Sequence, residues 1–248
     1  MIETFIAIFA AHVAADYVFQ THQMVARKSE PVFFALHITV VAVMAIIFTG
    51  QYTWPIFLIV GLHLIIDLIK QILKNDSFIV HISDQAAHIL SVCIISALAP
   101  TLWATGHWAN APVWVPYVLL LVSGFIFATR SGGLAVGKLM NRFDSLDFSK
   151  DSLDGAGNII GLLERGLIFV LMIAGLPIGI GFLIAAKSVL RFEGPTDSAP
   201  PENRRRSEYI IIGTLASFSW AIAVSFAVIL LMAALNGQPI LEIITPNP

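Results

Sequence analysis

Apolar residues fall into eight stretches along the chain, at roughly 2–19, 32–50, 53–73, 79–101, 113–129, 158–175, 177–192 and 208–235. Most approach the roughly 20 residues that a helix needs to cross a bilayer. Each is predicted to be a helix with its backbone bonds closed internally. The sixth and seventh are short and share the turn Gly175-Leu176-Pro177, which predicts a tight hairpin. The fold class expected is all-α: a polytopic membrane protein of about eight spans.

Polar residues inside the first four stretches recur with a period of 51: His12 and His63, Asp16 and Asp67, Gln20 and Gln71, His37 and His88. Each unit reads His-x-x-x-Asp-x-x-x-Gln with a second His 25 residues after the first. Polar side chains are costly in such runs, and function is the default explanation for them. A repeat that keeps them in register predicts a tandem duplicated helical hairpin over residues 1–104, with the copies related by a pseudo-twofold along the membrane normal. Residues 105–248 form the second half.

Basic residues set the orientation. Arg27 and Lys28 follow the first stretch and Lys70 and Lys74 end the third; Arg130, Lys138, Arg142 and Lys150 precede the sixth, and Arg191 and Arg204–Arg206 precede the eighth. The other connections lack Lys and Arg, and Trp54, Trp103, Trp108 and Trp114 lie in them or at the adjoining span ends. The positive-inside rule and an outer aromatic belt then give N-out/C-out topology, in a bacterial inner membrane. Residues 130–157 and 193–207 are expected to be cytoplasmic loops. In the first, Leu134, Leu139, Met140 and Phe143 could form a short interfacial helix edged by Lys138 and Arg142. Its acidic run, Asp144 to Asp154, lacks EF-hand spacing and reads as a solvated loop, with Asp154 capping the sixth span.

Composition removes other classes. The chain is 57% hydrophobic and 12% charged, outside the soluble range, and its net charge of −2 gives no field for a nucleic acid. The single cysteine, Cys93, allows neither an internal disulfide nor a zinc ribbon. The first ten residues contain no basic residue, so no cleaved signal peptide is expected.

The repeated residues carry the candidate chemistry. His12 and Asp16, His63 and Asp67, and Asp84 and His88 are each four apart and share a helix face. His37 has no such partner, because Phe33 stands where the repeat has Asp84. All would lie in the cytoplasmic half of the bundle. Imidazoles and carboxylates projected inward from facing helices are how bundle metal sites are built. His12, Asp16, His37, His63, Asp67, Asp84 and His88 are therefore the candidate ligands of one or two divalent ions, Zn, Mn or Fe. Gln20, Gln71 and Gln85 would hydrogen-bond those ligands. Asp84 and the neighbouring His81 are candidates for proton transfer. Helix-packing hydrogen bonds, a proton or ion pathway and a bis-histidine haem are the competing explanations. His22 falls in the first inner loop and His107 on the outer side.

A second polar set marks the inner ends of the later spans. Lys187, Arg191 and Arg165 could hold an anion, with Glu164 and Glu208 as ion-pair partners. Snorkelling cations in an interfacial ion-pair network are the alternative.

Together the stretches HVAADYVFQTHQMVARK, HLIIDLIKQ, DQAAH, GLLERGLIF, AAKSVLRF and EYIIIGTLAS resemble an uncharacterised bacterial polytopic membrane family, over almost the whole chain outside 100–155 and 193–206. There is a looser similarity to membrane-bound metal-dependent hydrolases. The candidate ligands and cations together predict a membrane-embedded metalloenzyme, a hydrolase open to the cytoplasm or inner leaflet, in which Lys187 and Arg191 orient a small anionic, phosphorylated or lipid-like substrate. The rival expectations are an ion, metal or proton-coupled transporter using the same cluster, and a structural protein that binds partners through its basic loops.

Overall fold

The computed structural model describes residues 1–143, 155–191 and 201–238, without the side chains of 188–191, 201–203 and 206. The described residues are helical and contain no strand. Seven helical segments are long and apolar enough to cross a membrane, as in an integral membrane protein. An eighth apolar helix is shorter. The chain divides into two compact units, one of Met1–Phe127 with the C-terminal segment from Leu230, the other of Ala128–Ile229.

In the first unit the helices are α1 (Ile2–Ala14), α2 (His22–Ala26), α3 (Pro31–Thr49), α4 (Trp54–Leu73), α5 (Phe78–Leu98) and α6 (Val115–Ile126). The starts follow the sequence: Pro31 and Pro55 lie in the first turns of α3 and α4, where a missing N–H costs nothing, and Ser77 Oγ accepts from Val80 N to cap α5. Helices α1, α3, α4 and α5 close a ring of contacts, α1 on α3, α3 on α4, α4 on α5 and α5 back on α1. Helix α1 also packs on α6, through an edge contact of Phe9 on Phe127 with centroids 5.6 Å apart. About two-thirds of the first span is buried against about a fifth of α4. The 51-residue spacing predicts equivalent helices; the structure makes α1 central and α4 peripheral, because only α1 is covered on a further side.

The ends of these helices are tied down differently. Where α3 meets α4, Gly50 adopts the left-handed region at φ 65°. Its carbonyl accepts from His107 N at 3.0 Å, Trp108 Nε1 donates to Ile47 O at 2.8 Å, and Thr4 Oγ1 donates to Pro100 O at 3.0 Å. A Cβ on Gly50 would come within 2.9 Å of Trp108 Cδ1 and of the His107 backbone. Gly50→Ala combines left-handed strain with overpacking against main chain that cannot yield, and is expected to cost about 2–4 kcal/mol. Thermal unfolding in detergent checks it; an unchanged midpoint would contradict the packing.

At the opposite end α1 passes into a π-helical turn, Ala15–Phe19, and leaves helix at Gln20, whose ψ is 104°. Its counterpart Gln71 stays inside α4. The repeat is therefore broken locally, and Gln20 and Gln71 are not equivalent.

The second unit holds α7 (Gly132–Met140), α8 (Ala156–Ile173), α9 (Ile178–Arg191) and most of α10 (Pro201–Leu235). Ile168, Ile180, Phe218 and Ala221 form its buried core, with Leu171, Met172 and Leu183 against it. The turn between α8 and α9 has Gly175 at φ 72°. Helix α9 has 14 residues, about 21 Å, short of a roughly 30 Å hydrocarbon core.

Two expected loops prove helical where described. Residues 130–143 continue the helix from α6 through a second π-helical turn, Phe127–Ser131, into α7. The expected short helix is present here as α7, with Ala135 and Met140 buried and Leu134 exposed. Likewise α10 begins at Pro201, within the expected loop 193–207, since a proline at the first helical position starts a helix as readily as it ends one. The acidic run and the proposed Asp154 cap lie outside the described residues.

Candidate metal centre

The seven predicted ligands meet at one end of the four-helix ring. His12 comes from the last turn of α1, Asp16 from the π turn, His37 from the second turn of α3, His63 and Asp67 from α4, and Asp84 and His88 from α5. All but Asp16 are buried, and Asp16 has a side-chain exposure of only 13%.

The distances are informative. His37 Nε2 lies 3.2 Å from His63 Nε2. Asp16 Oδ1 is 3.6 Å from His37 Nε2 and 3.5 Å from His63 Nε2. Asp67 Oδ2 is 3.3 Å and 3.8 Å from the same two nitrogens. Most of these separations are long for hydrogen bonds. They suit atoms that share one ion: bonds of about 2.1 Å to a tetrahedral centre place its ligands about 3.4 Å apart. A second set adjoins the first, with His88 Nε2 3.9 Å from Asp67 Oδ1 and 3.8 Å from Asp84 Oδ1. The two oxygens of Asp67 thus face two groups of donors. His12 completes a third combination with His63 and His88, its ring stacked on His88 with centroids 4.8 Å apart.

Many of these atoms have no hydrogen-bond partner: both ring nitrogens of His12, Asp16 Oδ1, His37 Nδ1, Asp84 Oδ1, His88 Nε2 and Gln71 Nε2. A buried polar atom left unsatisfied costs about 1–3 kcal/mol. Clustered orphan imidazole nitrogens and carboxylate oxygens fit a divalent cation, because that ligand satisfies them at once.

Three neighbours complete the surroundings. Gln85 Nε2 donates to Asp84 Oδ2 at 3.1 Å while its Oε1 accepts from Tyr17 OH at 2.7 Å. Lys70 Nζ donates to Asp84 Oδ2 at 2.6 Å, and Lys28 Nζ is 3.0 Å from Asp67 Oδ2. Sequence reasoning used both lysines only to orient the chain. Their signal was there: Lys70 lies one turn beyond Asp67, and Lys28 ends the loop that follows the first polar pair.

Other predicted residues lie apart from the ligand groups. His81 is buried one turn before Asp84 but belongs to none of the three combinations. His22 is exposed at the start of α2, and His107 packs on Trp108 at the other end of the helices. The second polar set belongs to the other unit. There Lys187 Nζ donates to Glu164 Oε2 at 2.7 Å, and Glu208 pairs with Arg204 at 3.2 Å rather than with Lys187. The Arg191 side chain lies outside the described residues.

Arg165 does not suit the anion role. Its Nε donates to Thr129 O at 3.0 Å and its Nη1 to Ser217 Oγ at 3.1 Å. Glycines press on it from two helices; a Cβ on Gly133 or Gly161 would come within 2.9 Å of the guanidinium. This cation joins helices, where the expected role was to hold an anion.

Residues 4–114 match a family model described as "Protein of unknown function (DUF3307)". No curated protein and no solved structure matches the chain. The matched residues include α1 to α5, all seven candidate ligands and both lysines. The LER, AKSVLRF and EYIIIGT motifs of the second half lie outside the match, so the resemblance is narrower than those motifs imply.

Proposed function

We propose that this protein is a membrane-embedded, metal-dependent enzyme, a hydrolase that acts on an anionic or lipid-like substrate from the cytoplasmic side of a bacterial inner membrane. The observation that carries the proposal is the convergence of four imidazoles and three carboxylates, mostly without hydrogen-bond partners, at one end of an apolar bundle. Asp16, His37, His63 and Asp67 would hold one divalent ion, and Asp67, Asp84 and His88 a second, with His12 beside both. Such a pair supplies an activated water and a clamp for a phosphoryl or acyl oxygen. Gln85, fixed by Tyr17, orients Asp84. Orientation follows the basic connections, and the 51-residue spacing supports an ancestral duplicated hairpin.

Transport by the same residues is the rival. Beyond the cluster α1 buries Ile6 to Ala11 and Thr4, and the buried hydroxyls of Thr4, Thr49, Ser91 and Ser96 each donate to a backbone carbonyl, so among the described residues no carboxylate or imidazole continues the path through the ring. This favours chemistry at one face over passage between two. Elemental analysis of the folded, purified protein is expected to find one to two divalent ions per chain. Less than about a tenth of an ion per chain would end the proposal. Flux of that ion into proteoliposomes would replace enzyme by transporter.

A further inference from the structure

Lys28 and Lys70 stand on the exposed side of the cluster. Their side-chain exposures are 22% and 25%, against 3% and 4% for the carboxylates they touch. Each ammonium carries three donors; Lys70 commits one of them to Asp84, and Lys28 is ion-paired with Asp67 at 3.0 Å. The turn that presents Lys28 is braced: Arg27 makes a bidentate pair with Glu30 at 2.7 Å and 2.6 Å, and its guanidinium lies 4.1 Å from the centroid of the Phe33 ring. This is also why Phe33 replaces an acidic residue here, since it serves the turn and not the cluster. Lys70 is fixed by α4, one turn beyond Asp67.

Charge decides what these ammoniums can hold. With neutral imidazoles, Asp16, Asp67 and Asp84 against Lys28 and Lys70 leave the cluster one charge negative, and it repels an anion. One divalent cation makes it positive, and two make it strongly so. The part-exposed ammoniums then lie beside a positive centre, each with donors to spare. A compact dianion with several acceptor oxygens matches two point-charge donors. Exposed Val25, Ile69 and Ile72 lie within three residues of the lysines in the chain and would suit acyl chains beside such a headgroup.

We propose that Lys28 and Lys70 form the substrate's anion site, that its ligand is a phosphate monoester, and that the site exists only when the carboxylates hold metal. This rests on the metal-dependent reading above and specifies its substrate class. By linkage, phosphate and metal must each tighten the other's binding by the same factor.

The test uses the full chain, stripped with a chelator or loaded with manganese, and calorimetric titration with inorganic phosphate in detergent. A parallel arm adds phosphatidic acid to phosphatidylcholine nanodiscs. Loaded protein is expected to bind at least one of these about tenfold or more tighter than stripped protein. Lys28→Gln and Lys70→Gln are each expected to weaken that binding about tenfold without lowering manganese content. Binding in the nanodisc arm alone assigns a lipid headgroup, and binding of free phosphate a soluble monoester; either supports the site. Failure to take up any divalent ion removes both this inference and the enzyme reading. Manganese uptake without binding of phosphate or phosphatidic acid overturns the anion site alone, as does binding that is equal in stripped and loaded protein or unchanged in both lysine variants. The comparison of stripped and loaded wild-type protein needs no variant to fold.

Discussion

Replacing His63 with alanine is expected to remove the divalent ion from the purified protein while leaving the helical fold in place. Its Nε2 lies within 3.8 Å of His37 Nε2, Asp16 Oδ1 and Asp67 Oδ2, and His63 belongs to two of the three donor combinations. No other residue of the cluster reaches so many candidate ligands. Losing an outer hydrogen-bond partner costs a metal site about 10–100-fold in affinity, so losing a ligand at the centre should cost at least about 100-fold. The fold should survive because α4 is peripheral, with only about a fifth of its span buried, although His37 loses its 3.2 Å partner. Alanine at His107 or His22, outside the donor groups, should leave metal content unchanged. Elemental analysis beside circular dichroism checks all three variants. Equal metal in His63→Ala and wild type would show that the ion, if present, binds elsewhere.

Much of this centre was legible in the sequence, for a physical reason. In an apolar run a histidine or aspartate has to face something polar, so its position reveals which helix face points inward. The four-residue and 51-residue spacings then fix the depth. What the spacing cannot encode is a change of helical pitch. The π turn at Ala15–Phe19 redirects the chain just after Asp16, and Gln20 leaves the helix although its position in the repeat is perfect. Nor can the repeat show which copy will be covered by a fifth helix, which is why α1 and α4 differ in burial. Lys28 and Lys70 were hidden for another reason. Basic residues at span ends already have an explanation in membrane orientation, and that explanation masks a second use. By sequence Arg165 groups with Lys187 and Arg191 as an anion ligand, since all three are cations near inner helix ends. Its position is set instead by glycines on two helices that admit the guanidinium against backbone. The continuation of α6 into α7 was missed because Arg130 and two glycines resemble a loop until a packing partner is known.

The second large effect concerns charge. Lys70→Met should destabilise the metal-free protein by about 3 kcal/mol or more, and a divalent ion should restore most of that loss. Removing one member of a buried pair strands the other, and the cost depends on whether the survivor can reach water. Asp84 cannot. Its side chain is 4% exposed, its Oδ2 is left with Gln85 as its donor, and its Oδ1 has no hydrogen-bond partner. Lys70 can reach water, because its side chain is 25% exposed and its long stem allows the ammonium to move outward. Asp84→Asn should therefore cost only about 1 kcal/mol, the value of a pair with one wet partner. A stabilising additive that merely rigidified the helices would help both variants alike. A cation bound by Asp84 would not: it supplies the positive charge that Lys70→Met lacks and loses a ligand in Asp84→Asn. Binding to the folded state alone raises stability in proportion to the logarithm of ligand over dissociation constant. The midpoint shift on adding manganese should accordingly be larger than wild type in Lys70→Met and smaller in Asp84→Asn. Chemical unfolding in mild detergent, with manganese or with chelator, reads both quantities. If the two variants lose equal stability without metal and regain it equally with metal, Asp84 is no ligand and its pair with Lys70 is only a clasp between α4 and α5.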